Sequence, residues 1–345
     1  MAYTTINKSS AYFNTKLYTG TGSSNAITGV GHAPNWTWIK NRATTDMHSL
    51  FDAVRGATKR ISTSNNSAQA TEAQDLKAFG SDGFTVGTSG AVNSSNVNYV
   101  SWNWKANGQG SSNTAGTINS TYTSANTTSG FSIVQYTGNA SQAQTVGHGL
   151  GVAPKLIIFK SLTSTDDWSI CCPSVLGLDG RLTLNTTAAN SVGDNTFWNS
   201  AAPSSTLFSL GNNSRANASG KTIIAYCFAD VTGFSNVGSY IGNGSASGTF
   251  VYTGFKPAFV MFKKSSGTDN WRIIDNKRLG YNPNNAFLFP NIVQAESNLT
   301  RFDLLSNGFK LKTSDNGDNG SDQTYIYMAF GQTLVGTNNV PANAR

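Results

Sequence analysis

Apolar residues in this chain arrive in short runs, separated by stretches of Gly, Ser, Thr and Asn that suit turns. Three of the runs begin just after a proline and close on a lysine six positions beyond it. They are Asn35-Trp36-Thr37-Trp38-Ile39-Lys40 after Pro34, Lys155-Leu156-Ile157-Ile158-Phe159-Lys160 after Pro154, and Ala258-Phe259-Val260-Met261-Phe262-Lys263 after Pro257. Side chains alternate between the faces of a strand, and these runs are apolar at both parities, so both faces are expected to be covered. One face would line the core of its own unit; the other would meet a neighbouring unit or another subunit. Helical periodicity is weak, and Gln69 to Phe79 is the one stretch where a helical turn or two is expected. The pattern predicts an all-β chain.

The lysine-terminated runs belong to a longer recurring pattern. Thr-Asp follows each proline at eleven and twelve positions (Thr45-Asp46, Thr165-Asp166, Thr268-Asp269), and His48, Trp168 or Trp271 stands at fourteen. Upstream, Tyr18-Thr19-Gly20, Tyr136-Thr137-Gly138 and Tyr240-Ile241-Gly242 occupy similar places. Downstream come Phe84, Phe208 and Phe309, the first and last directly after Asp82-Gly83 and Asn307-Gly308, dipeptides that favour tight hairpins with positive φ. Each copy then closes on an aromatic strand: Tyr99–Trp104, Ile223–Phe228 and Tyr325–Phe330. Offsets that coincide in three copies define an internal repeat. The expected architecture is three tandem antiparallel β-sandwich, jelly-roll-like units over 1–107, 131–232 and 233–345, with a Gly/Ser/Thr/Asn-rich linker or surface arm over 108–130.

Composition narrows the function classes. With 12% charged and 11% aromatic residues the chain is not expected to be disordered. The net charge of +7 is spread thinly, and Lys59-Arg60 and Lys263-Lys264 are its densest basic spots, so no nucleic-acid partner is expected. No apolar run approaches the roughly 18 residues that span a bilayer, so no membrane insertion is expected. Cys171, Cys172 and Cys227 are odd in number and two are adjacent, which points to a reducing assembly compartment and not to a disulfide framework. Met1 to Ser10 lacks the apolar stretch of a secretory signal.

Candidate chemistry sits first in the Thr-Asp loops. A sugar is recognised by a carboxylate for its hydroxyls and an aromatic face for its C–H surface. Asp46 with His48, Asp166 with Trp168, and Asp269 with Trp271 would supply such pairs; the competing reading is that each Asp closes its own loop as an Asx-turn. Asp52 with Arg55 and Asp275 with Arg278 stand 18 and 21 positions past their prolines, as structural ion pairs or a seat for an anionic group, and the second copy has Cys172 and Val175 there. His32 and His148 both recur in Val-Gly-His before the proline and read as turn residues. Asp315 and Asp318 lie in a Gly/Asn loop that resembles part of a calcium site without its terminal Glu, and an ordinary solvated loop is expected there. No spacing of metal ligands or convergent acids stands out, so no catalytic residue, metal or cofactor is expected.

Phe131-Ser132-Ile133-Val134-Gln135-Tyr136-Thr137-Gly138, Val146-Gly147-His148-Gly149-Leu150-Gly151-Val152-Ala153-Pro154-Lys155, Tyr99-Val100-Ser101-Trp102-Asn103-Trp104-Lys105 and Ser306-Asn307-Gly308-Phe309-Lys310-Leu311 resemble a repeated β domain of virion and tail-fibre-like proteins from marine tailed bacteriophages of the cyanophage and pelagiphage type. The resemblance runs from about Ala11 to Phe330. It implies a virion-surface protein, assembled in the host cytoplasm, that contacts other virion proteins and has no catalytic residues to carry over. The role it implies is a tail fibre or adhesin contributing to host-surface recognition, with host polysaccharide as a partner and a homotrimer by analogy with fibres. Alternatives are a capsid decoration (cement) protein and, behind it, an envelope polysaccharide depolymerase. On the adhesin reading, Trp168→Ala or Trp271→Ala weakens cell binding and leaves the fold largely intact.

Overall fold

Thr, Val, Ile and aromatic residues prefer the pleated, half-buried surface of a sheet. In the computed structural model, which describes residues 4–279 and 281–332, they build antiparallel sheets throughout. Residues 1–3 of the first predicted unit, and 280 and 333–345 of the third, lie outside that description. The first unit contains β1 (Phe13–Thr19), β2 (Asn25–Thr28), β3 (Trp36–Asn41), β4 (Ser49–Asp52), β5 (Gly56–Ile61), β6 (Ala70–Thr71), β7 (Leu76–Gly80), β8 (Gly83–Val86) and β9 (Asn98–Trp104). The second contains β10 (Ser111–Asn113), β11 (Ser120–Asn126), β12 (Phe131–Thr137), β13 (Gln144–Gly147), β14 (Leu156–Ser161), β15 (Ser169–Cys171), β16 (Leu182–Thr183), β17 (Leu207–Leu210) and β18 (Thr222–Phe228). The third contains β19 (Ser235–Ile241), β20 (Phe250–Tyr252), β21 (Lys256–Lys264), β22 (Arg272–Asp275), β23 (Asn284–Phe287), β24 (Ser297–Leu305), β25 (Gly308–Leu311) and β26 (Thr324–Gln332).

Six sheets pair into β-sandwich-like units. The inner sheets contain the orders β1-β9-β3-β4, β12-β18-β14-β15 and β19-β26-β21-β22, so the closing aromatic strand always lies between the first strand and the lysine-terminated one. The outer sheets pair β2 with β8, β13 with β17 and β20 with β25. Gly83 and Gly308 open β8 and β25 because a Cβ there would collide with the carbonyls of Ile27 and Val251 on the facing strand; Gly83 alone of the two also has positive φ, at 153°.

Two expectations change. Gln69 to Phe79 is not helical: it forms β6, a turn and β7. Its Leu76 is buried beside Phe84 and Val86, and β7 pairs with β8 across Ser81-Asp82, so tertiary pairing overrides a weak helical pattern. The arm at 108–130 is integrated as well. Its strands β10 and β11 extend the β12 sheet, and Ile118 then makes a parallel bridge to Val146 on the other sheet of the same sandwich.

The two parities of the lysine-terminated strands part company as expected. Ile39, Ile157 with Phe159, and Val260 with Phe262 line the separate cores of their own sandwiches. Trp36 with Trp38, Leu156 with Ile158, and Phe259 with Met261 point the other way, into one cluster shared by all three units. The closing strands add Trp102 and Trp104, Tyr226 and Phe228, and Met328 and Phe330 to it. Register stacks these side chains in layers: Trp36, Leu156 and Phe259 lie beside Trp104, Phe228 and Phe330, and Trp38, Ile158 and Met261 beside Trp102, Tyr226 and Met328. Trp36 stands 4.4 Å from Trp104 and 4.5 Å from Tyr226, while Phe330 reaches Trp104 at 5.8 Å and Phe228 at 6.0 Å. Each large apolar side chain buried this way contributes about 1.5–3 kcal/mol. The covering surface is therefore the neighbouring unit of the same chain.

Candidate functional site

The third layer of the shared core is polar. Lys40, Lys160 and Lys263 follow the inward parity, opposite Val100, Ile224 and Ile326, and none is exposed to solvent. A buried ammonium needs acceptors, and the loop after each strand curls around to provide carbonyls. Lys160 Nζ donates to Ser161 O (2.8 Å), Asp166 O (2.9 Å) and Ser164 O (3.3 Å) of its own loop, and to Asn66 O (3.2 Å) of the first unit. Lys263 repeats this with Lys264 O, Gly267 O and Thr187 O of the second unit, and Lys40 with Asn41 O, Thr44 O and Val293 O of the third. Burial lowers the pKa of each lysine to about 8.

That shift makes a testable prediction. An unfolded lysine titrates near 10.4, so between pH 8 and about 10.4 the unfolded chain binds more protons than the folded one and stability rises with pH. The stability of wild type relative to Lys160→Met is expected to rise from pH 8 to 10, by up to about 1.4 kcal/mol per pH unit. Paired denaturant titrations at several pH values measure it; a gap that stays constant means the ammonium is not desolvated.

Backbone bonds cross the same joints. Gln69 N donates to Leu162 O (2.9 Å), Asn190 N to Ser265 O (2.8 Å) and Glu296 N to Arg42 O (2.9 Å). Each acceptor stands eight residues past its proline, and the bonds run from unit one to two, two to three and three to one.

The rings proposed for sugar contact are part of these joints. Trp168 and His48 are fully buried and Trp271 is 1% exposed. Trp168 Nε1 donates to Ser62 O (2.8 Å) of the first unit and Trp271 Nε1 to Thr183 O (3.0 Å) of the second. His48 Nδ1 accepts from Trp38 Nε1 at 2.8 Å, so its Nε2 carries the proton, and the Phe289 backbone of the third unit is near enough to act on the ring. Burial, with the Lys40 charge behind it, holds this imidazole well below its usual pKa, and it is neutral. None of the three rings offers a face to a glycan, which corrects the sugar-site reading. The loop acids turn to local partners: Asp46 Oδ2 accepts from Asn41 Nδ2 and Thr44 Oγ1, Asp166 Oδ2 from Ser164 Oγ, and Asp269 Oδ1 from Asn270 N while it pairs with Arg272.

Asp52 with Arg55 and Asp275 with Arg278 form ion pairs whose side chains are wholly buried. Each carboxylate also accepts a bond from the next unit: Tyr226 OH reaches Asp52 Oδ2 at 2.7 Å and Trp102 Nε1 reaches Asp275 Oδ2 at 3.0 Å. Burial alone would raise the Asp275 carboxyl, but the Arg278 charge and hydrogen bonds outweigh it and hold it below the usual carboxylate range. The third joint differs. Cys172 replaces the Asp, Val175 the Arg and Met328 the donor, and all three sit in or against the shared core. Acid, base and donor are absent together at this joint, as the cost of a stranded buried charge requires.

Three further residues escaped the sequence reading. Asn93, Asn217 and Asn319 are buried at the ends of one-turn helices (Gly90–Asn93, Ser214–Asn217, Asn316–Asn319), each six residues before the first residue of its closing aromatic run. Each Oδ1 accepts from the backbone N of Thr21, Asn139 or Asn243, and each Nδ2 donates back to loop carbonyls, clasping the turn after the Tyr-x-Gly strand. The constant spacing was the available signal. The Asp315–Asp318 loop is likewise not a solvated loop: Asp318 is fully buried between Arg272 (2.5 Å) and Arg301 (2.9 Å), and Asp315 pairs with Arg301 at 3.0 Å. His32 and His148 are buried, with Nδ1 of His32 bonded to Ser10 O and Nε2 of His148 to Ser204 O. All three cysteines are free and buried, and desolvation pushes Cys172 up to about 11 and Cys227 to about 12. Among the described residues no group of His, Cys, Asp or Glu is arranged to hold a metal ion.

No curated protein matches the chain. One family does, over residues 8–333. The chain belongs to that family, which is described as a domain of unknown function, DUF7483.

Proposed function

We propose that the chain is three copies of one two-sheet sandwich closed into a ring, and that this ring is a rigid virion structural protein of a tailed bacteriophage, a tail fibre or adhesin component that meets the host surface. The observation that carries the reading is the directional set of inter-unit bonds, from Gln69 to Leu162, Asn190 to Ser265 and Glu296 to Arg42, which returns the third unit to the first. Residues that recur in all copies (the lysines, the rings at position fourteen, the clasping asparagines) act in cohesion, so recognition falls to positions where the copies differ. The phage assignment rests on the sequence resemblance. In this reading the threefold element of the fibre analogy lies inside one chain, other virion proteins anchor it, and it performs no catalysis. A body of three units around a shared core also suits a place where three shell subunits meet, which keeps capsid decoration as the second reading.

Immunogold labelling of intact virions tests the choice. Label confined to tails supports the fibre or adhesin; label over the heads establishes decoration; purified virions that carry no label overturn both.

A further inference from the structure

The outer sheet of the third unit differs from its counterparts in what it exposes. Phe250 (45% exposed) and Tyr252 (62% exposed) project from the same face of the edge strand β20, either side of the buried Val251. Register places Tyr252, Gly308 and Leu305 in one row across β20, β25 and β24, and Phe250, Lys310 and Asp303 in the next. Gly308 therefore leaves the sheet floor open between Tyr252 and Leu305, and the Phe250 ring leans towards it, 3.1 Å from where a Cβ would stand. Lys310 Nζ donates to Ser247 Oγ (3.2 Å), while Asp303 opposite it pairs with Lys312 (3.4 Å), so among the described residues the Lys310 charge has no carboxylate of its own. At the corresponding positions β2 has Ala26 and Thr28, and β13 has Thr145 and Gly147, with Thr145 bonded to Thr117 of the arm. Nothing in the sandwich fold requires the aromatics on β20.

We propose that this face of the third unit, built on Tyr252, Phe250 and Lys310, binds an acidic saccharide, with a hexose ring laid on the aromatics and its anionic group at the lysine. Two rings and a leucine are far below the roughly 800 Å² per partner of a stable protein interface, but they match the C–H face of one or two sugars. Neighbouring exposed aromatic faces are the surface on which a sugar's C–H face stacks, and the adjacent ammonium, without a carboxylate partner among the described residues, selects for negative charge. The inference rests on the host-surface reading and names the ligand class for it.

The test is calorimetric titration of the full chain with uronate oligosaccharides, sulfated galactan oligosaccharides and neutral glucan oligosaccharides. Binding of either acidic probe, weakened at least tenfold by Tyr252→Ala and losing its preference over the neutral glucan in Lys310→Gln, supports the proposal, and the stronger acidic probe identifies carboxylate or sulfate as the anion. Circular dichroism of both variants must match wild type, which their exposed positions predict. Wild-type protein that binds neither acidic probe, or binds one undiminished by Tyr252→Ala, overturns the saccharide site. The host-surface reading is judged separately, by whether the purified wild-type chain competes with phage adsorption.

Discussion

Trp168→Ala is expected to lower the unfolding free energy by about 3–5 kcal/mol, the range for truncating a large buried aromatic. The indole is fully buried in the core shared by three sandwiches, and its loss leaves both a void and the Ser62 carbonyl without its 2.8 Å donor. Trp271→Ala removes the equivalent bond to Thr183 O and should behave alike. Because the cluster belongs to every unit, the damage should appear as one cooperative transition shifted to lower denaturant, followed by near-ultraviolet circular dichroism. Trp168→Phe separates the terms by keeping most of the volume and deleting the N–H. A loss below about 1 kcal/mol for the alanine variant would contradict the buried placement. Reduced cell binding by such a variant would therefore report unfolding, not the loss of a sugar contact.

Asp52→Ala should cost a similar 3–5 kcal/mol for a different reason: it strands the Arg55 guanidinium, which has no solvent exposure, and removes the acceptor of Tyr226. The chain itself indicates the remedy. At the joint between the second and third units the same places hold Cys172, Val175 and Met328, an apolar set. Replacing a buried ion pair by apolar residues of fitting shape is often neutral or stabilising. The triple variant Asp52→Cys, Arg55→Val, Tyr226→Met is thus expected to return to within about 2 kcal/mol of wild type, although each change alone is harmful. Equilibrium denaturation of wild type, Asp52→Ala, the three single variants and the triple variant decides it. A triple variant no better than Asp52→Ala would show that the joints are not interchangeable.

Much of this was legible because cohesion acts at fixed strand positions. The lysine at six and the ring at fourteen past each proline, and the acid at eighteen past two of the three, recur because each meets the same kind of neighbour. Asn93, Asn217 and Asn319 were equally regular and passed unnoticed, since asparagine in a polar, Ser-rich chain draws no attention until its buried bonds are seen. The helical expectation at 69–79 failed because local periodicity was too weak to withstand pairing of Leu76 and its neighbours with β8.

The sugar-site reading of Trp168 and Trp271 failed for a more general reason. A ring at the end of a hairpin lies equally well against solvent or against a neighbour, and spacing within one unit does not distinguish them. From its sequence alone the chain determined that its lysine-terminated strands must be covered on both faces, since apolar parity states which side chains have to leave water. Only the tertiary structure decided what covers them, because burial is non-directional and any complementary surface would serve, whereas gathering these strands into one shared core depends on distances between residues far apart in the chain.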